Sequence, residues 1–268
     1  MGKNIGVLSC QFEPYIGNRD KNLEKVDELI GQYGDKNIDL VLVPEFFTTG
    51  IPKDGFISEE EKTSYTLDFM KNLAKKYKTN ICCGSIIEKE HDKLYNTTYF
   101  IDRSGDVTGK YRKIHLFSYF GGNEHLSITK GDKIVVVEAD FGVVGLSLCF
   151  DIRFPLLYNK LIKAGAEIIV CPNAWCIPKK MNDELTLKQE EIKAFTIARA
   201  SENLVYFITS SLSGSIGSGL LGAGYSSIVS PRAEILAEAN ELNQAIYSEI
   251  DLSTVRKFKK EFPVYKID

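Results

Sequence analysis

The stretch Val143-Val144-Gly145-Leu146-Ser147-Leu148-Cys149-Phe150-Asp151-Ile152-Arg153-Phe154-Pro155 decides the fold of this chain. Val143 to Leu148 is a short apolar run of the kind that forms a strand buried on both faces. Phe150 to Pro155 then leads into a helix expected to run to Gly165, so Cys149 sits at the strand–helix junction. A junction of this type presents a nucleophile on a tight turn, with backbone N–H groups at the helix start aimed at the reacting oxygen. A helix N-terminus also favours the thiolate. A single cysteine is more often a small buried apolar residue than a nucleophile, so the assignment needs support from elsewhere in the chain.

Two other segments supply it. In Val43-Pro44-Glu45-Phe46-Phe47, Glu45 follows the apolar strand Asp39–Val43, at the kind of carboxyl end where α/β sheets collect their ligands. Two phenylalanines beside a carboxylate desolvate it and push its pKa toward the range of a general base. A surface loop acid is the plain alternative. In Gly109-Lys110-Tyr111-Arg112-Lys113-Ile114-His115-Leu116-Phe117, basic groups alternate through an apolar frame, which turns Lys113 inward if the segment is extended. An inward ammonium stabilises the negative charge that develops in acyl transfer; the plain alternative is a lysine guarding a sheet edge.

Taken together, and in this order, Glu45 after Val-Pro, Lys113 in Tyr-Arg-Lys-Ile-His-Leu-Phe and Cys149 in Leu-Cys-Phe-Asp-Ile-Arg-Phe-Pro resemble the nitrilase superfamily of carbon–nitrogen hydrolases. The resemblance extends over nearly the whole chain, through 166–175, 198–203 and 226–231. It implies a Glu–Lys–Cys triad of Glu45, Lys113 and Cys149, with Glu124 as a second glutamate beside the lysine. It implies hydrolysis of a small amide through a Cys149 thioester, the oxyanion being held by the Lys113 ammonium and the Phe150 N–H. Phe46, Phe150, Trp175 and Cys176 are expected to line the pocket, and Arg153 is a candidate contact for an acidic amide, or else a structural pair. The Phe-Asp-Ile-Arg that follows Cys149 is similar to amidase and carbamoylase branches rather than to nitrilases, which carry Trp-Glu there; Asn173-Ala174-Trp175 is similar to omega-amidase-like members. No cofactor is implied, and a homodimer or higher homo-oligomer is, through Arg153 to Lys163 and the tail around 258–265. Ser230-Pro231-Arg232-Ala233 departs from the family's Asp-Pro-x-Gly and leaves the geometry of that turn open.

The order of elements agrees. Strands are expected near 5–10, 39–43, 80–87, 94–101 and 107–111, with helices near 21–33 and 59–77, the second opened by a capping box, Ser58-x-x-Glu61. In the first helix Leu23, Val26, Ile30 and Tyr33 share one face. The second half repeats the scheme, with strands ending at Cys149 and near 167–171, 204–210, 225–229, 234–238 and 244–250, and helices after Cys149 and near 184–201. Two β-α-β-α-β-β halves form an α/β fold, the four-layer αββα sandwich of two sheets flanked by helices, as one domain over residues 1–268.

A net charge of −3 gives no electrostatic reason to expect nucleic acid or an anionic membrane. The first residues lack a signal-peptide core, no apolar run approaches a membrane span, and the six cysteines then read as free thiols of a cytoplasmic protein. Neither the cysteines nor His91, His115 and His125 have metal spacing. Gly217-x-Gly219-x-x-Gly222 spells a dinucleotide fingerprint but is expected to be a surface loop, since a strand rather than a helix follows. Arg199 and Glu202 are expected to form a helix ion pair, and Lys259-Lys260 a solvated patch. Three rivals remain: an N-carbamoyl hydrolase or nitrilase of the same superfamily, a papain-like enzyme with a histidine serving Cys149, and a catalytically silent scaffold.

Overall fold

The computed structural model describes residues 4–53, 55–61, 64–118 and 123–263. Along the chain run β1 (Asn4–Gln11), α1 (Arg19–Gly31), β2 (Leu40–Leu42), β3 (Ser58–Glu59), α2 (Tyr65–Tyr77), β4 (Asn80–Glu90), β5 (Lys93–Ile101) and β6 (Val107–Arg112). There follow α3 (Glu124–Ser127), β7 (Val135–Ala139), β8 (Gly142–Leu146), α4 (Pro155–Lys163), β9 (Ile168–Asn173), β10 (Cys176–Pro178) and α5 (Leu185–Asn203). The last elements are β11 (Tyr206–Ser211), β12 (Ser213–Gly217), β13 (Leu220–Ala223), β14 (Ser227–Val229), β15 (Ile235–Glu238), β16 (Gln244–Asp251) and α6 (Leu252–Glu261).

Among the described residues the strands form two large mixed sheets, ordered β16-β1-β2-β4-β5-β6 and β15-β14-β11-β9-β8-β7. In each, three neighbouring strands are parallel (β1, β2, β4 and β8, β9, β11); the short β3 also pairs with β4 in parallel, and the rest pair antiparallel. Each parallel step crosses over through one helix, α1 and α2 in the first half, α4 and α5 in the second. The halves are therefore structural repeats, and they close face to face with β1 against β11. Two hydroxyls stitch that contact: Ser9 Oγ donates to Thr209 O at 2.6 Å and Ser210 Oγ to Cys10 O.

The parallel strands are apolar on both faces because both faces are covered. Ile5 and Val7 of β1, with Leu40 and Leu42 of β2, fill the space between the sheets. Leu8, Cys10, Val41 and Val43 instead meet α1 and α2, through Leu23, Val26, Leu29 and Ile30, and through Leu67, Met70, Leu73 and Ala74. The arrangement is the expected four-layer αββα sandwich.

Several local expectations are corrected. Ser58 does not open α2; it lies in β3, and Ser64 is the cap, its Oγ accepting from Leu67 N at 3.0 Å. Glu59, still in β3, supplies the carboxylate at the helix start by accepting from Ser64 Oγ and Thr66 N. The glycine run 217–222 is the turn and second strand of the β12–β13 hairpin, which joins β10 in a three-stranded sheet. Lys259 is no solvated patch: on α6 its ammonium donates to the carbonyls of Gly165 and Ala166 at 3.0 and 2.7 Å. Arg199 does pair with Glu202 at 2.8 Å, but it is buried and also donates to Ile152 O at 2.8 Å, holding the turn that carries Cys149. The 230–234 turn closes without its usual Asp and Gly. Ser230 Oγ accepts from Arg232 N and Glu234 N, both at 3.2 Å, and Ala233 takes a left-handed φ of 64°.

Candidate active site

β2, β4 and β6 point the same way in the first sheet, so their carboxyl ends and the start of the antiparallel β5 share one edge. Glu45 follows β2 there and Lys113 follows β6. Gly84 of β4 permits the approach, since a Cβ on it would stand 1.9 Å from Pro44 O. Cys149 follows β8 of the second sheet and opens a 3₁₀ turn, Cys149–Arg153, rather than the α-helix itself, which begins at Pro155. Its φ of 44° is in the left-handed region that disfavours side chains. Phe46, next to Glu45, has φ 54°. Strain at both positions is typical of sites whose surroundings over-determine the backbone.

Glu45 is 0% and Lys113 1% exposed. Lys113 Nζ donates to Glu45 Oε1 at 2.8 Å and to Glu124 Oε1 and Oε2 at 3.1 and 3.0 Å. The cation between the two carboxylates is thus the lysine itself, and among the described residues no cluster of three or more His, Cys, Asp or Glu could hold a metal ion. Glu124 opens α3 and also accepts from Phe117 N at 2.6 Å. Glu45 Oε2 is buried with no hydrogen-bond partner, and the Cys149 thiol interacts with this carboxylate while Ala174 N–H faces the sulfur. Lysine, both glutamates and thiol therefore converge.

The electrostatics differ from expectation in one respect. Burial and then the Glu45 charge push the Cys149 thiol well above its ordinary value, outweighing Lys113 and the Ala174 N–H. Both effects favour the protonated thiol, for which Glu45 is the expected base, over the thiolate that a helix N-terminus was expected to favour. Burial also raises Glu45 despite Lys113. Burial opposes the charge of Lys113, yet Glu124 and Glu45 overcome it and hold the ammonium well above the usual lysine range.

Asp151, two residues after the cysteine, is fully buried and ties the two sheets' contributions together. It accepts from Leu148 N at 2.9 Å and Tyr111 OH at 2.6 Å, and from His115 N at 3.1 Å, with His115 Nδ1 at 2.6 Å. His115 is thus engaged by Asp151 and stacks on Phe154 at 3.7 Å; it does not serve the thiol as a papain-like mechanism requires. Phe150 packs edge-on against Phe117 and Phe154. Trp175 follows β9 and Cys176 begins β10; Trp175 is buried and Cys176 half-buried, its thiol pushed up to about 12 by burial. Phe46 is buried, stacks on Phe56 at 5.1 Å and shares an apolar cluster with Ala174. Arg153 ion-pairs with Glu191 and lies over the Trp175 and Phe195 rings at 4.9 and 4.8 Å; Lys188 shares Glu191 at 2.6 Å. Sequence reasoning missed Asn96. A polar residue amid the strand-like Leu94–Ile101 was its only signal, and its Nδ2 donates to Glu45 Oε1 at 2.8 Å and Glu124 Oε1 at 3.1 Å.

Comparison with known proteins gives the family. The family model described as Carbon-nitrogen hydrolase matches residues 7–260. The 2-oxoglutaramate amidase of Bacillus subtilis is 30% identical over 97% of this chain and 96% of its own, and the omega-amidase NIT3 of Saccharomyces cerevisiae 28% over 99% and 94%. The crystal structure of Saccharomyces cerevisiae Nit3, a member of branch 10 of the nitrilase superfamily, superposes with a TM-score of 0.86 at 27% identity, over 99% of this chain and 96% of that one. The chain belongs to the carbon–nitrogen hydrolase family of the nitrilase superfamily and is an amidase-type hydrolase.

Proposed function

We propose that residues 1–268 act as one hydrolase domain that converts a small linear amide and water into a carboxylic acid and ammonia or an amine, through a thioester on Cys149. The observation that carries the mechanism is the Lys113 ammonium bound to both carboxylates, with Glu45 Oε2 left without a hydrogen-bond partner and the Cys149 thiol interacting with the same carboxylate. Glu45 takes the thiol proton as the sulfur attacks the carbonyl carbon. Lys113 and the Phe150 N–H hold the oxyanion. Glu45 returns the proton to the departing nitrogen as the C–N bond breaks, then deprotonates the water that opens the thioester and gives that proton back to the sulfur. Glu124 keeps Lys113 charged and in place. Phe46, Phe150, Trp175 and Cys176 shape the pocket.

An amide bearing a distal carboxylate fits best. Two cations, Arg153 and Lys188, share the single carboxylate of Glu191 against the Trp175 face, leaving a cationic excess beside the pocket. The names of the relatives point the same way. Ammonia release from succinamate, a neutral amide of the same length, an N-carbamoyl amino acid and the matching nitrile tests this. The reading requires succinamate to be the best of the four by kcat/KM; a carbamoyl or nitrile preference overturns it, and a silent scaffold releases nothing.

The same reading makes the enzyme a cytoplasmic homodimer. All six cysteines are free, which suits a reducing compartment. Leu156 on α4 and Leu187 on α5 are 76% and 70% exposed, apolar area of the kind a partner covers. Of the tail expected at the contact, 264 and 265 lie outside the described residues. Light scattering at micromolar protein should give at least twice the chain mass of 30.1 kDa; a monomer contradicts it.

A further inference from the structure

Asn96 stands at the centre of the polar cluster, yet neither the triad nor its second glutamate accounts for it. It lies in β5, fully buried, opposite Ile87 of β4. Its backbone carbonyl accepts from Lys113 N at 2.9 Å, so it sets where the lysine's main chain passes. Its side-chain amide reaches both acids, donating to Glu45 Oε1 at 2.8 Å and Glu124 Oε1 at 3.1 Å. The chemistry fixes the amide's orientation: turned over, its oxygen would face two carboxylates and be repelled. As it stands, Asn96 Oδ1 is buried with no partner, a penalty the fold accepts in order to aim both hydrogens at the carboxylates.

The consequence is an asymmetry in Glu45. Oε1 receives two donors, the Lys113 ammonium and the Asn96 amide, while Oε2 receives none. We infer that Asn96 is a positioning residue of this site: with Lys113 it ties down Oε1 of Glu45 and leaves Oε2 as the oxygen that receives the Cys149 proton. The inference rests on Glu45 being the base. A carboxylate otherwise free to rotate about its last bond would present either oxygen, and the proton transfer would sample unproductive geometries. Donation to the charged form also lowers the carboxylate's proton affinity, in opposition to the burial that raises it. The other groups facing Glu45 are Lys113, Glu124 and Cys149, and its charge is also felt by the thiols of Cys171 and Cys176.

The test is the rate of Cys149 alkylation by iodoacetamide against pH, read by mass spectrometry, beside kcat/KM for succinamate over the same range. Alkylation needs no turnover, so it stands even if the substrate is wrong. Wild type, Asn96→Ala, Asn96→Asp and Glu45→Gln are compared, with melting curves for each. Asn96→Ala should move the acid limb of both profiles up by about one pH unit, as expected when one donor to the charged acid is lost. Asn96→Asp keeps the shape, replaces the donor by an acceptor, and should move the limb in the same direction while remaining folded. A merely structural Asn96 would lower the melting temperature and leave the limb in place. If Glu45→Gln loses the limb but a folded Asn96→Asp keeps the wild-type profile, the inference on Asn96 is overturned and the base survives. If Glu45→Gln itself keeps the wild-type profile, both fall.

Discussion

Replacing Lys113 by arginine separates a catalytic ammonium from a merely cationic one. The side chain is 1% exposed and its Nζ makes three contacts of 2.8 to 3.1 Å to two carboxylates. A guanidinium keeps the charge but is larger, and its donors lie in a fixed planar fork. Fitting it into a closed cluster should cost about 1–3 kcal/mol, the usual range for overpacking. For a chain of this size that is a fall of roughly 2–12 °C in melting temperature. The catalytic loss is larger: the compact donor no longer meets the oxyanion, which typically costs about 10²–10³ in kcat. Lys113→Met provides the contrast. It leaves two buried carboxylates without a counter-charge, at about 3–5 kcal/mol, so it should melt lower than the arginine variant while being similarly inactive. Steady-state ammonia release and thermal melts by circular dichroism read both quantities. A folded Lys113→Arg enzyme with kcat within about threefold of wild type would refute the reasoning, because a lost oxyanion donor cannot cost so little.

Glu45→Gln should abolish turnover yet stabilise the fold at neutral pH. Burial raises the folded pKa of Glu45 above 4.5, so the stability its proton supplies is present at low pH and lost as pH rises through the raised value. Glutamine escapes that loss, so its melting temperature should exceed wild type near pH 8 and the gap should close toward about pH 4; the opposite order at pH 8 would count against the burial account. Gly84→Ala should lower both stability and kcat, because the new Cβ would sit 1.9 Å from Pro44 O and displace the segment that carries Glu45; melts and rates like wild type would show that the approach is not tight. Cys171 is buried beneath the nucleophile with its thiol pushed up to about 12 by burial. Cys149 is raised as well, but it is 8% exposed against 0% for Cys171 and has Glu45 beside it to take its proton; iodoacetamide at about pH 8 should therefore label Cys149 and leave Cys171 untouched, and Cys171→Ala should cost about 1 kcal/mol and spare kcat, which peptide mapping and kinetics check.

The candidate triad was legible because each member is announced by a local pattern. Glu45 and Cys149 follow short apolar strands, and Lys113 continues the alternation of β6 just past its end. The repeat of β-α-β-α-β-β was legible for the same reason. Features that depend on which strands become neighbours were not. Asn96 is an ordinary polar strand residue until the β4–β5–β6 register brings it between two carboxylates. Asp151 was quoted with the nucleophile, but its bonds to Tyr111 and His115 cross from one sheet to the other. β7 was missed although Ile134-Val135-Val136-Val137 is a strong β-branched run; it forms the edge of its sheet, with only Val137 of the strand buried. α6 buries only Leu252 and Val255, so its short apolar face was lost among lysines. Ser58 and Ser64 both precede helical sequence, and only the pairing of β3 with β4 decides between them.

The most direct test of the account is to catch the acyl group. Wild-type enzyme is mixed with succinamate, quenched in acid within the first turnovers and digested, and the cysteine peptides are weighed. The account predicts a succinyl thioester on the peptide containing Cys149, absent from Cys149→Ala, which should be folded and inactive. Turnover that persists in Cys149→Ala, or an acyl group carried by Cys171 or Cys176 instead, would contradict it.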